Sequence, residues 1–266
     1  MQTRRIAVLT QTRLRIYMPR LMLNDQYWAK LKPILLQQGI HDKPNLQMTV
    51  DGILFRMRTG VPWRDLPSDF GHWNSVYKRF NYWSKNNILM NSFKELSKDT
   101  DTEWEFIDGS YCKAHQHSAG ARGDDDQAIG LSRGGNTTKI HLAVDSYGLP
   151  IVFEVTGGDV HDSQAAPTLI EQLPETTAIV ADKGYDSQAI RDQIEAKGAV
   201  PVIPRRKNSK VGNADLDRPL YKLRHLVENA FCSLKQFRAI ATRYDKLKRN
   251  FVSMVALACC FLWLPM

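Results

Sequence analysis

The stretch Tyr221–Lys235 reads YKLRHLVENAFCSLK, and its periodicity sets the frame for the rest of the chain. As part of one long helix from Leu220 to Phe237, at about 100° per residue, it gathers Tyr221, Arg224, Glu228 and Lys235 within an arc of roughly 60°. Leu223, Leu226, Val227, Ala230, Leu234 and Phe237 fall on the opposite side. The helix therefore turns an apolar face to a core and carries, outward, one carboxylate between two cations with a phenol beside them. A solvated face mixes its charges loosely, whereas this grouping suits a site that meets both a metal ion and a phosphate.

Upstream of that helix the texture is short β-branched or aromatic runs broken by turns. Trp104 to Ile107 leads as a strand into Asp108. Lys139–Val144 and Ile151–Val155 flank the turn Asp145–Pro150 as a hairpin. Ser163–Leu173 reads as helix, Ala178–Ala181 as strand, Ser187–Lys197 as helix and Val200–Ile203 as strand. This order predicts an α/β fold around a mixed sheet. Residues 116–133, with Asp124, Asp125 and Asp126 among glycines, and residues 205–219 read as polar loops. The first hundred residues are helical: Asn24 or Asp25 caps a helix running to about Gln38, a second spans Met48–Arg58 and stops at Gly60, and Trp73–Trp83 resumes helical spacing after the loop Val61–Phe70. Residues 1–17 show no periodic apolar face and read as a poorly ordered extension, with Met18 a candidate start.

The pattern Y-x2-R-x3-E-x6-K, met position for position by Tyr221, Arg224, Glu228 and Lys235, resembles the signature of DDE insertion-sequence transposases. Phe106-Ile-Asp108-Gly-Ser110 and Ala181-Asp182-Lys-Gly-Tyr185 look like that family's first- and second-aspartate segments. Leu131-Ser-Arg-Gly-Gly-Asn-Thr-Thr-Lys-Ile-His141, and Val61-Pro-Trp-Arg-Asp-Leu-Pro67 with Gly71 and Trp73, resemble the insertion sequence five group in particular. The resemblance implies a ribonuclease H-like mixed sheet flanked by helices (residues 101–266, catalytic), preceded by a small helical N-terminal domain (residues 18–100) that binds DNA ends. It also implies that Asp108, Asp182 and Glu228 are catalytic and hold two Mg²⁺ ions, with Mn²⁺ able to substitute. The implied partners are double-stranded DNA, as terminal inverted repeats and as target, and further copies of the chain on DNA. The strand count made from the residues alone agrees: Asp108 ends the first strand segment, Asp182 follows the fourth strand, and Glu228 lies on the late helix.

Other residues admit two readings each. Tyr221 can stack on a base or sugar, and Arg224 and Lys235 can hold phosphates, against the alternative of surface pairs or packing residues. Arg133 and Lys139, with Gly134 and Gly135, can hold DNA backbone or form a plain turn. Asp145 belongs in a turn, Asp162 and Asp186 read as helix N-caps, and His161 as a loop residue. Arg56, Arg58, Arg64, Lys78 and Arg79 sit among Trp63, Trp73, Tyr77 and Trp83, a mixture suited to DNA contact or to a core.

The formal charge of +8 favours a polyanionic partner. Cys112, Cys232, Cys259 and Cys260 form no C-x-x-C pair, which suggests neither zinc nor a disulfide framework and fits a bacterial cytoplasm, with nucleoid association on DNA. Phe251–Leu264 is apolar but shorter than the ~20 residues that cross a bilayer, so no membrane role is expected and a buried helix or strand is. Two weaker alternatives share this sequence: a two-metal nuclease without strand transfer, and a DNA-binding descendant whose catalysis has lapsed.

Overall fold

In the computed structural model, which describes residues 20–121 and 126–266, the Asn24 side chain accepts from the Tyr27 N–H at 2.7 Å and starts α1 (Asp25–Gln37). The extension at residues 1–17, Met18, and Asp124 and Asp125 of the acidic loop lie outside the described residues. Helix α2 (Leu46–Thr59) stops at Gly60, whose φ of 72° closes the last turn onto the Arg56 carbonyl. Helix α3 (Trp73–Lys85) buries Val76, Phe80 and Trp83, and Trp63 packs on Phe80 with ring centroids 5.1 Å apart. Helix α4 (Ile88–Leu96) has no counterpart among the sequence expectations. It is short and begins on Asn87 at a φ of 56°, directly after Asn86, where the pattern reads as a break.

The sheet contains β1 (Trp104–Ala114), β2 (Gly130–Ser132), β3 (Gly135–Val144), β4 (Pro150–Gly157), β5 (Ala178–Ala181), β6 (Val200–Val202) and β7 (Thr242–Arg243). Its main order is β4-β3-β1-β5-β6; the first three pair antiparallel and the last three parallel. β2 folds back on β3, and β7 lies parallel to the far end of β1. Three antiparallel strands followed by two parallel ones form the ribonuclease H-like mixed sheet, with helices on both faces. The crossovers are α5 (Asp162–Gln172) and α6 (Gln188–Ala196).

Side-chain alternation along β1 divides the core in two. Phe106 and Cys112 of β1, with Leu142 and Val180, face α8 (His225–Lys235) and α10 (Lys248–Trp263). Ile107, with Ala143, Ile179 and Ala181, faces α5 and α6. Helix α10, made from the apolar C-terminal run, is buried nearly all round: Phe251, Met254, Val255 and Ala258 are 0% exposed. One side of α10 packs on the sheet and the other on α3 and α4, so the apolar core of the N-terminal helices is continuous with that of the sheet. Among the described residues no helix is long and apolar enough to cross a membrane.

Two buried arginines hold the surrounding elements, one in an ion pair and one through neutral acceptors. Arg56 of α2 donates both terminal nitrogens to Asp245, at 3.2 and 3.1 Å, beside β7. Arg243, fully buried, donates to the carbonyls of Ala128, Asp245 and Lys246 and to the Thr138 hydroxyl, and its guanidinium lies over Phe251. Breaking either arrangement leaves a buried charge uncompensated, at a cost of about 3–5 kcal/mol.

The expected helix Leu220–Phe237 is in fact two, α7 (Arg218–Lys222) and α8, with a turn at Leu223 and Arg224. The break is a tight step of i→i+3 bonds: the Leu226 N–H donates to Leu223 and the Val227 N–H to Arg224. Asp162 and Asp186 are also not the caps expected of them. His161 caps α5 in a capping box with Gln164, and Ser187 caps α6. Asp186 instead accepts from Arg191. Asp145 is the turn residue expected, taking the Tyr147 and Leu149 N–H groups.

Glu105 on β1 is 0% exposed and its carboxylate oxygens have no hydrogen-bond partner. Burial pushes its pKa from 4.5 to about 8; Lys197 opposes the rise and Asp145 adds to it. Because the folded value exceeds the unfolded one, this residue's contribution to stability is whole below about pH 4.5 and is lost as pH rises toward 8. Glu105→Gln removes that dependence. Between about pH 5 and pH 9 the melting temperature of the parent should fall more steeply than that of the variant, as measured by thermal denaturation at stepped pH.

Candidate active site

Ile107 of β1 stands in register with Ala181 of β5, so the next residues on these parallel strands, Asp108 and Asp182, are neighbours. Alternation puts both on the α8 side of the sheet, with Phe106 and Val180. Asp182 ends its strand by accepting the Gly184 N–H at 2.7 Å, which turns the chain into a short 3₁₀ segment, Lys183–Tyr185. The Asp108 carboxylate accepts its neighbour Gly109's N–H at 2.7 Å.

Across from them, Arg224 donates one terminal nitrogen to Asp108 Oδ2 at 2.7 Å and the other to Glu228. The tight step before α8 is what turns this guanidinium toward β1. Lys235, near the other end of α8, donates to Ser110 Oγ at 2.6 Å, the next outward position on the same face of β1. Asp108 and Arg224 are about one-fifth exposed and Glu228 about half exposed, so the group opens to solvent on the Glu228 side. Burial raises the pKa of Asp108; the Gly109 N–H and Arg224 act against this, and the charges of Asp182 and Asp162 add to it. The rise is thus first an effect of desolvation and only second of neighbouring charge.

Under this face, on the α5 side, lies a second polar cluster that the sequence patterns do not show. Lys139 of β3 is 3% exposed and donates to Asp162 at 2.7 Å, while His141 Nδ1 lies 3.3 Å from the other Asp162 oxygen. Burial opposes ionisation of Asp162, but its bonds to His141 and Lys139 outweigh this and hold its pKa at about 2. Tyr185 is buried beside them, and burial together with the nearby Asp162, Asp108 and Asp182 carboxylates pushes its hydroxyl upward. Lys139 is therefore not on the surface as a backbone-binding cation would be, because its ammonium is committed to Asp162. Gly109 makes this approach possible: a Cβ there would sit 2.2 Å from Asp162 Oδ1 and 2.8 Å from Lys139 Cε. The Asp-Gly pair at 108–109 and the His-Asp pair at 161–162 are the only local signals of the cluster.

Of the remaining expected contacts, Arg133 is exposed on the turn between β2 and β3. Tyr221 is partly buried against the apolar core and close enough to Arg224 to influence its charge. Among the described residues no three His, Cys, Asp or Glu side chains converge to hold a metal ion, since the Arg224 guanidinium lies between Asp108 and Glu228.

A ribonuclease H-like sheet with one aspartate midway along β1 and another just past the end of the adjacent parallel strand β5, faced by a glutamate-bearing helix, defines the class of protein. The chain belongs to the family described as "Transposase DDE domain", whose model matches residues 106–263. A second model, "Putative transposase of IS4/5 family", matches residues 23–93. The "Putative transposase for insertion sequence element IS6501" of Brucella ovis is 35% identical over 132 residues, 48% of this chain and 98% of that relative. The "Transposase for insertion sequence element IS1106" of Neisseria meningitidis is 31% identical over 111 residues, 40% of this chain and 38% of that relative. Among solved structures, the piggyBac transposase synaptic complex with hairpin DNA is 13% identical with a TM-score of 0.36, covering 73% of this chain and 45% of that one. The chain is thus an insertion-sequence transposase by family.

Gly109→Ala forces a methyl group into the Asp162–Lys139 pair, an overpacking that costs about 1–3 kcal/mol. Its melting temperature should drop clearly, whereas Gly134→Ala, whose added Cβ would meet no atom closer than 3.7 Å, should melt with the parent.

Proposed function

We propose that this chain cuts DNA at the ends of its own insertion sequence and joins the freed 3′-OH ends to target DNA, with Asp108, Asp182 and Glu228 as its catalytic carboxylates. The observation that carries the proposal is the Arg224 guanidinium shared between Asp108 and Glu228, with Asp182 at the adjoining strand end. That is a cation held between two carboxylates, with the third on the neighbouring strand. Hard carboxylate oxygens, with the pKa of Asp108 raised mainly by burial and further by the charges of Asp182 and Asp162, fit a divalent ion as well as they fit an arginine. Two Mg²⁺ ions, or Mn²⁺ in their place, would lower the pKa of an attacking water or 3′-OH and stabilise charge on the phosphoryl oxygens.

The chain's own groups supply the rest. Asp108 and Asp182 are fixed from beneath, through Gly109 and the Lys183–Tyr185 turn, so they hold their positions without substrate. Arg224 has a planar fork that matches phosphate as well as carboxylate, so an arriving DNA phosphate exchanges for the carboxylates it now holds. Lys235 brings a second positive charge to the same face through its bond with Ser110. The helical module at residues 18–100 recognises the terminal inverted repeats, and Arg133 extends the DNA-binding surface from the hairpin turn. Two copies on paired ends complete the assembly, since joining requires both ends at one target.

Asp108→Ala, Asp182→Ala and Glu228→Ala should each abolish cleavage of end-bearing DNA in Mg²⁺ while binding stays within a few-fold of the parent, because affinity rests mainly on phosphate contacts. Ordinary cleavage by any one variant removes that residue from the site.

Lys235→Ala should lower the slope of log affinity against log salt by about one unit on end DNA and unrelated DNA alike. Arg224→Lys keeps the charge but loses the two-pronged bridge, so single-turnover cleavage should fall further than affinity does. An unchanged salt slope together with parental cleavage would make both cations ordinary surface residues.

A further inference from the structure

A groove of about 1020 Å³ opens where the helical module meets the far end of β1, away from the carboxylates. Trp63, Arg64 and Trp73 form one wall; His115, His117 and Tyr244, from the segments that leave β1 and β7, form the other. The His115 ring lies 4.7 Å from Tyr244, tilted by 31°, and 4.6 Å from His117, which meets it edge-on at 63°. His115 is fixed there, since its Nδ1 accepts the His117 N–H and its own N–H donates to the Arg243 carbonyl. Tyr244 is 38% exposed and His117 is exposed, so the ring cluster presents its outer surface to solvent. Arg64 lies over Trp73, with Lys246 also on the rim. Asp245, the acidic residue of the lining, is neutralised by Arg56.

We propose that this groove binds single-stranded DNA, its rings stacking on unpaired bases and its cations holding the phosphates. Flat rings open to solvent can be covered by a splayed base, whereas a duplex hides the faces of its bases against neighbouring pairs. Arg64 and Lys246 supply positive charge uncompensated by a carboxylate of the lining. Asp108 and Ala114 lie about 20 Å apart along β1 at ~3.3 Å per residue, a distance that a few nucleotides of extended single strand span. A strand cut at the carboxylates can therefore lodge its flanking bases here. This deepens the DNA-cutting function proposed above and rests on it for the source of the strand.

The test uses the full chain without divalent metal, so that binding is read apart from chemistry. Fluorescence anisotropy compares a short oligothymidylate with an abasic strand of equal length and with a duplex. The parent should favour the oligothymidylate over the abasic strand by ~10-fold. Tyr244→Ala combined with His117→Ala, both near the surface, should erase that preference while melting with the parent. Asp108→Ala should leave the preference intact, so a failure of the groove and a failure of the catalytic site are told apart. Equal affinity of the parent for base-bearing and abasic strands, a preference that survives the double substitution, or a preference for duplex over single strand would each overturn the proposal.

Discussion

Everything at the site depends on charge compensation between Arg224 and the carboxylates it joins. The parallel register of β1 and β5 puts Asp108 beside Asp182, and α8 adds Glu228 across from them. Two unit charges about 4 Å apart interact by about 4 kcal/mol at an effective dielectric of ~20. Domains are stable by only about 5–15 kcal/mol in total, so several such repulsions without cations would threaten the fold. Arg224 answers Asp108 and Glu228, Lys139 answers Asp162 from the other side of the sheet, and Lys235 lies along the same stripe. Burial raises the pKa of Asp108, and the charges of Asp182 and Asp162 add to the rise. A site of this kind tolerates a cation and is poised to exchange one cation for another.

The scaffold keeps the charges in place by making β1 nearly immovable. β1 is paired to β3 on one side and β5 on the other, and carries β7 at its far end. Helix α10 lies beneath the sheet and also against α3 and α4, while Arg56–Asp245 ties the helical module to the segment after β7, where the fully buried Arg243 holds β3 and α10. The N-terminal helical module and the sheet that bears the carboxylates therefore share one core. The groove between Trp63 and Tyr244 is a consequence of that docking.

Much of this was legible in the sequence because it is carried by local pattern. The strand Ala178–Ala181 reads directly as a short apolar run, and the hairpin around Asp145 follows from its turn residues. The four-residue signature led to Arg224, Glu228 and Lys235, which do line one face. The break before α8 was not legible, since an i→i+3 step alters the backbone while barely disturbing the 100° periodicity of the side chains. Nor was the use of Lys139 and Asp162, because an ion pair between β3 and α5 leaves no trace in either segment alone. Asp162 follows His161 at the start of a helix, where capping is the common role, and only the fold shows that its neighbour caps instead. Tyr221 matches the signature and lies on the separate helix α7, partly buried against the core.

The most direct measurement is metal occupancy: saturable Mn²⁺ binding to the full chain with end DNA present, followed by electron paramagnetic resonance of the free ion. Asp108→Asn and Asp182→Asn should each abolish it, while Asp162→Asn, whose carboxylate is committed to Lys139 on the opposite face, should retain it. Binding that survives both of the first two substitutions, or that is lost only with Asp162→Asn, would contradict a working site built on Asp108, Asp182 and Glu228.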